Sequence, residues 1–423
     1  MNLKKLFLQK YQNNKELSKS FLWRLIQILS KQGTTALMFF IATFFLPKED
    51  MGIYNYISAT LMLLVIFSDF GISTSTSRYI TVYNTEQKEK VKKVFFNSLI
   101  IISIASILVL FFVILFKQYL FTKHFNYIIY ALPMIFVTPL TSLLDGIFRG
   151  LKKFKQLAKV TLFNSLVGIS VSLILVPLYG LKGAILAQIF YFLIYSIILL
   201  ILHKGYEFKI EKEMMWDIGK YSISFGIATL GFYFFSKVNI LILGKYDLFE
   251  EIAVYELVNK VFTIFLIPFS VFGQVLAPNI VEMFSLRKYG DIRNVFSKLL
   301  KYILLLNILF IPISMVIAKF GIGILFPIYL GDILNSLLLP VALTYAIALP
   351  VTVINAGILT STGHAKLMAI QNVISGLVNV VLNILVIQKY GYIGVVWVTF
   401  IVQSISTLFL YLIYYSKISK LCS

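Results

Sequence analysis

Five cationic side chains, Arg24, Lys31, Arg78, Lys237 and Lys260, stand within or at the edge of stretches otherwise apolar enough to cross a bilayer. Facing lipid, a central Lys or Arg costs about 2.5–3.5 kcal/mol, so five would cost roughly 12–18 kcal/mol. They must face water, one another or an anion. Helical periodicity gives them neutral polar neighbours. Arg24, Gln27, Lys31 and Thr34 or Thr35 fall at spacings of three, four and seven, one face of a helix. Ser222, Thr229, Tyr233 and Lys237 are seven, four and four apart, again one face. Glu256, Asn259, Lys260 and Thr263 lie within two turns. Such stripes can hold an anion through charge-assisted hydrogen bonds while amides and hydroxyls bind uncharged polar groups.

Each residue also has a plainer reading. Lys260 and Glu256 can neutralise each other as an i, i+4 pair. Arg24, near a helix end, can snorkel to the interface. Arg78 can pair with Asp69 or flank the membrane, and Asp145 and Arg149, four apart, read as an end-of-helix pair. Asn372, Asn379 and Asn383 on one face serve equally as packing contacts between helices.

The elements that must position these groups follow from composition. A chain of 423 residues at 59% hydrophobic and 13% charged, with a mean hydropathy of +0.89, reads as an all-α integral membrane protein. Segments of about twenty apolar residues match a bilayer core of roughly 30 Å. Twelve are expected: 21–46, 53–80, 94–116, 127–148, 157–179 and 183–202 in a first half, then 216–243, 254–284, 295–319, 335–360, 367–388 and 392–415. The second and eighth are long enough to need tilt or a break, with Asp69-Phe70-Gly71 and Pro268 as break points. Residues 1–20, with Leu3, Leu6, Phe7 and Tyr11 among lysines, read as a cytoplasmic amphipathic tail. The first segment is too long for a cleavable signal and ends without a small-x-small site.

Lys and Arg concentrate in the N-terminal tail, in alternate loops and in the C-terminal tail at 416–423, which places both termini in the cytoplasm. The same topology accounts for the net charge of +20, so no nucleic-acid partner is expected. Cys422 stands alone, which excludes an internal disulfide or a cysteine metal site, and no cofactor or metal is expected.

Two motifs repeat. Pro47-Lys48-Glu49-Asp50-Met51-Gly52-Ile53-Tyr54 is echoed 201 residues later by Leu248-Phe249-Glu250-Glu251-Ile252-Ala253-Val254-Tyr255. Tyr179-Gly180-Leu181-Lys182-Gly183 is echoed by Tyr390-Gly391-Tyr392-Ile393-Gly394. An even number of segments intervenes, so the repeat is parallel: a lobe at 21–202, a polar linker at 203–215 and a lobe at 216–415. Parallel lobes are a transporter arrangement that works by alternating access.

Leu46 to Tyr54, Asp69-Phe70-Gly71 and Arg78 resemble the opening of the Wzx-type polysaccharide flippases of the MOP superfamily. Further along, the resemblance takes in Arg149-Gly150-Leu151-Lys152-Lys153-Phe154 and Val254-Tyr255-Glu256. It ends with Pro278, Ser361-Thr362-Gly363-His364-Ala365-Lys366, Asn379 and Asn383. The resemblance covers essentially the whole chain. It implies a MATE-like fold and a bacterial inner-membrane flippase that moves an undecaprenyl diphosphate-linked oligosaccharide, an O-antigen or capsule unit, to the outer leaflet. It also implies a central cationic cavity lined by segments 1, 2, 7 and 8, and admits a polysaccharide polymerase and a chain-length regulator as partners.

Among the basic residues, Lys31, Lys237, Lys260 and Arg24 are the candidate substrate ligands. Gln27, Thr34, Ser222, Thr229, Tyr233, Glu256, Asn259 and Thr263 are the polar lining, and Asp69, Arg78, Asp145 and Arg149 have gating or structural roles. Outward movement of negative charge across an inside-negative membrane releases about 2.3 kcal/mol per charge per 100 mV, and coupling to protons or sodium is also open. The chain has no phosphate-binding Gly-x-x-x-x-Gly-Lys-Ser/Thr loop. A MATE-like multidrug antiporter would use a buried carboxylate, for which Asp69 and Glu256 are candidates. A membrane glycosyltransferase or polymerase would carry an Asp-x-Asp site or a large outer loop, and neither is present.

Overall fold

A computed structural model describes residues 3–117, 125–203 and 207–421; His124 and Cys422 lie outside them. Those residues are almost wholly helical. The helices are α1 (Leu3–Phe45), α2 (Lys48–Asp69), α3 (Ile72–Glu86), α4 (Lys88–Leu115), α5 (Phe125–Ala131) and α6 (Met134–Gly150). They continue with α7 (Phe154–Leu202), α8 (Lys212–Lys245), α9 (Phe249–Ser285), α10 (Tyr289–Leu325), α11 (Asp332–Pro350) and α12 (Ala365–Lys420). Ten described stretches are long and apolar enough to cross a membrane. The chain is a multi-pass membrane protein.

Twelve segments were expected, and the difference lies in the two longest helices. A straight helix of 49 residues would run about 73 Å, far beyond a bilayer. α7 breaks at Gly180 (φ 56°, ψ −132°) and α12 at Gly391 (φ 57°, ψ −149°). The chain then folds back: Asn164 donates to the carbonyl of Tyr191 at 3.0 Å, and Gln371 donates to Ser406 at 3.0 Å. Both pairs centre on the echoed Tyr-Gly motifs. The repeat therefore marks a hairpin turn, where a glycine at positive φ avoids the Cβ clash of other residues.

Other expectations fare differently. The break at Asp69-Phe70-Gly71 is present, with Phe70 at φ 34° and Gly71 at φ 82°. No break occurs at Pro268, since α9 runs through both Pro268 and Pro278, an interruption of the hydrogen-bond ladder that membrane helices tolerate. α1 is continuous from Leu3, so no joint separates the tail from the first apolar segment; the side chains of 1–21 lie outside the described ones. The stretch expected as one helix over 335–360 ends in a π-helix, Val351–Leu359, wider than the α-helix before it.

The chain forms two compact units, residues 1–46 with 60–229 and residues 47–59 with 230–423; one boundary falls between α1 and α2 and the other two inside α2 and α8. In the first unit, Ile80, Val94, Ile102, Leu143, Phe148 and Leu199 form a fully buried core. α6 approaches α3 closely because Gly146 and Gly150, one turn apart, leave room for the carbonyls of Ser73 and Ser77. In the second unit, Ile280, Phe296, Ile354, Ile358 and Tyr414 pack together.

In the second unit the other repeated motif packs on its own echo. A side chain at Gly52 would collide with the backbone carbonyl of Phe249, while Tyr56 meets Phe249 edge to face at 5.9 Å. Backbone cannot yield as a flexible side chain can. Gly52→Ala is expected to cost about 1–3 kcal/mol, the usual penalty of overpacking, read as a lower unfolding temperature of the purified protein.

His203, outside the spans, sits between Phe95 and Phe148 at ring distances of 5.9 and 6.1 Å. Burial, with the nearby Lys153 ammonium second, holds its imidazole down at about 4. The unfolded chain binds that proton near pH 6.5, so the stability present above 6.5 is lost as pH falls towards 4. The purified protein is expected to lose thermal stability over that window, and His203→Gln to flatten the loss.

Candidate functional site

In the first unit α1, α6 and α7 converge on Asp145. This carboxylate is 9% exposed and receives Arg149 Nε at 2.9 Å, with an Arg24 guanidinium nitrogen at 4.0 Å. Gln27 donates to it at 2.6 Å and Tyr195 at 3.1 Å. Arg24 also donates to Gln27. Thr161 contacts the Tyr195 hydroxyl at 3.2 Å, and Lys31 Nζ lies over the Tyr195 ring at 5.9 Å. Arg24, Arg149 and Lys31 outnumber the carboxylates, Asp145 at the centre and Asp69 within electrostatic reach of Arg149, and leave a surplus of one positive charge. Both arginines keep 31% of their side chains exposed, so they are held by Asp145 without being sealed from an incoming anion.

The second unit repeats the device on α8 and α9. Lys237 Nζ meets Glu256 Oε2 at 2.7 Å, the lysine 30% exposed and the carboxylate 6%. Lys260 is half-buried one turn beyond Glu256, so this cluster too carries more positive than negative charge. Tyr345, on α11, donates to the carbonyl of Asn259 at 2.8 Å and contacts the Thr263 hydroxyl at 2.8 Å.

The remaining residues are placed as follows. Thr34 is buried and donates to the Ser30 carbonyl at 2.7 Å, while Thr35 is exposed. Ser222 and Thr229 bond carbonyls of their own helix, at Gly219 and Phe225, within the first unit. Tyr233, fully buried in the second unit, donates to the Ala59 carbonyl at 2.7 Å. The α8 stripe is thus divided between units. Asp69, the last residue of α2, accepts the backbone and hydroxyl of Ser73 at 2.9 and 2.6 Å, which satisfies a first-turn N–H of α3, and among the described residues no ion pair joins it to Arg78. Arg78 lies over the Tyr221 ring at 3.9 Å.

Spacing missed several residues. Asn239 donates to Tyr255 at 3.0 Å and Thr399 at 2.7 Å and accepts from Asn383 at 2.9 Å. Asn379 and Asn383 are buried in this network, as packing contacts. Tyr195, Thr161 and Tyr345 come from distant parts of the chain. Among the described residues no group of His, Cys, Asp or Glu is arranged to hold a metal.

The comparisons with known proteins agree with this architecture. An inward-facing multidrug resistance MATE family transporter of the MOP superfamily is similar at a TM-score of 0.73 and 14% identity, covering 94% of this chain and 98% of that one. A Vibrio cholerae MATE transporter in its bent form gives 0.60 at 14% identity, covering 96% and 97%. A Pyrococcus furiosus MOP superfamily transporter, whose description reports a binding pocket of reversed polarity suggesting a different function, gives 0.60 at 14%, covering 95% of each chain. At such identity these likenesses establish the fold. No curated protein matches the sequence. The profile of the polysaccharide biosynthesis proteins matches residues 17–284, well over half of the chain. By that match the chain belongs to the polysaccharide biosynthesis protein family.

Proposed function

We propose that this protein is a flippase that carries an undecaprenyl diphosphate-linked oligosaccharide from the cytoplasmic to the outer leaflet of the inner membrane. The two hairpins support twelve crossings, and the loop charges support both termini in the cytoplasm. The observation that carries the reading is the surplus of positive charge in both clusters, Arg24, Lys31 and Arg149 about Asp145 and Lys237 with Lys260 about Glu256. A diphosphate leaving the headgroup layer loses its hydration, and half-exposed ammonium and guanidinium groups supply the charge-assisted bonds that replace it. Asn259 and Thr263 are the candidates for sugar hydroxyls, whereas Gln27, 1% exposed and bonded to Asp145 and Arg24, orients the cluster. The two lobes would alternate access to each side, driven by the membrane potential or by proton or sodium coupling through the acidic partners Asp145 and Glu256.

The MATE-like fold favours a second reading, an ion-coupled drug antiporter. Deleting the gene separates them. A flippase's loss leaves unpolymerised undecaprenyl-linked glycan on the cytoplasmic leaflet with drug uptake unchanged. Drug accumulation with normal glycan would establish the antiporter instead.

A further inference from the structure

The second unit contains a groove, apart from both cation clusters, with a volume of about 720 Å³, within the range of small-molecule sites. Leu300, Leu304 and Leu305 of α10, Ile347 of α11, and Leu408 and Leu412 of α12 make its walls apolar. Two features distinguish it from an ordinary lipid-facing furrow. Lys301 lines it, about 20 Å along the helix direction from the basic turn at Arg287 and Lys288 that precedes α10. Tyr411 also lines it, 6% exposed, and its hydroxyl has no hydrogen-bond partner among the described residues. An unpaired buried hydroxyl is costly, and a ligand with an acceptor oxygen would satisfy it.

We propose that this groove holds one anionic phospholipid, its acyl chain along the leucines, its ester or phosphate oxygens accepting from Tyr411, and its headgroup charge paired with Lys301. Charge complementarity selects this occupant. Lys298, Arg293, Lys417 and Lys420 lie on neighbouring turns of the same two helices, a basic cluster of the kind that concentrates anionic lipid. Lys301 has the long apolar stem and charged end needed to meet a headgroup from within the hydrocarbon layer. The site uses none of the residues assigned to transport.

The test uses the full chain in phosphatidylethanolamine nanodiscs, with spin-labelled phosphatidylglycerol as probe and spin-labelled phosphatidylethanolamine as comparison. The wild type is expected to immobilise phosphatidylglycerol in preference. Lys301→Glu should weaken that preference about five- to tenfold, the pull of one basic side chain on an anionic lipid. Tyr411→Phe should weaken binding of the probe, and Lys301→Arg should retain it. Lys319→Gln, on the same helix but outside the groove, is the control for altered folding and should behave as wild type. Equal immobilisation of the two lipids by the wild type, or an unchanged preference in Lys301→Glu, overturns the proposal. Glycan transport is read separately, so the lipid site and the flippase reading stand or fall independently.

Discussion

Inverted vesicles holding a labelled lipid-linked oligosaccharide are expected to move label to the lumen with the wild type and to lose about 99% of that rate with Lys31→Ala plus Lys237→Ala, at equal expression. Hydrogen bonds to charged groups contribute about 1.5–3 kcal/mol each, so removing two weakens anion capture at least a hundredfold. The two lysines are not equivalent. Lys31 packs over the Tyr195 ring and forms no ion pair among the described residues, so Lys31→Ala removes charge with little structural consequence. Lys237 neutralises Glu256, and its loss strands a carboxylate only 6% exposed. Lys237→Ala should therefore also lower stability, whereas Lys237→Ala with Glu256→Gln should recover stability without recovering transport. If the Lys31 and Lys237 double variant transports normally, these lysines do not hold the substrate.

Asp145→Ala is expected to cost markedly more stability than Asp69→Ala. It leaves Arg24 and Arg149 without their counter-charge and removes the acceptor of Gln27 and Tyr195. Deleting one partner of a fully buried ion pair costs about 3–5 kcal/mol; with both arginines 31% exposed the cost here is about 2–3 kcal/mol, against roughly 1 kcal/mol for the hydrogen bonds of Asp69 to Ser73. The unfolding temperature of Asp145→Ala in detergent should fall well below that of Asp69→Ala. Adding Arg149→Leu should restore part of it, because one uncompensated charge is removed. Equal unfolding temperatures for the two single variants would mean that the Asp145 network carries little of the fold.

The sequence revealed the sites one helix at a time. Arg24, Gln27 and Lys31 recur at helical spacing, so their shared face on α1 was legible. Asp145, 118 residues from Gln27, was legible only as half of a local pair with Arg149. Its other three partners, Arg24, Gln27 and Tyr195, depend on how α1 and α7 pack on α6, and no spacing rule reports that. The i, i+4 spacing that suggested Glu256 with Lys260 pointed to one neighbour, while tertiary packing supplied Lys237 at 2.7 Å. Asn239 went unnoticed because it stands two residues from Lys237, off the polar stripe.

Backbone features followed the same division. The breaks at Gly71, Gly180 and Gly391 were visible because positive φ demands glycine, and the repeated motifs led to the last two. Pro268 misled, since a proline weakens a helix but neighbouring groups can keep it continuous. The π-helix at Val351–Leu359 has no comparable residue signature, and its packing against α9 at Gly273 is a tertiary fact.

The most direct measurement places the purified protein in liposomes containing a labelled undecaprenyl diphosphate oligosaccharide on one leaflet. The fraction that becomes accessible to a membrane-impermeant reagent on the other leaflet is then read under an imposed potential. Transfer by the wild type that exceeds protein-free liposomes, and that falls to their level in Lys31→Ala plus Lys237→Ala, is the predicted result. Wild-type liposomes that transfer no more than empty ones, although the protein is folded and the potential is maintained, would contradict the flippase account.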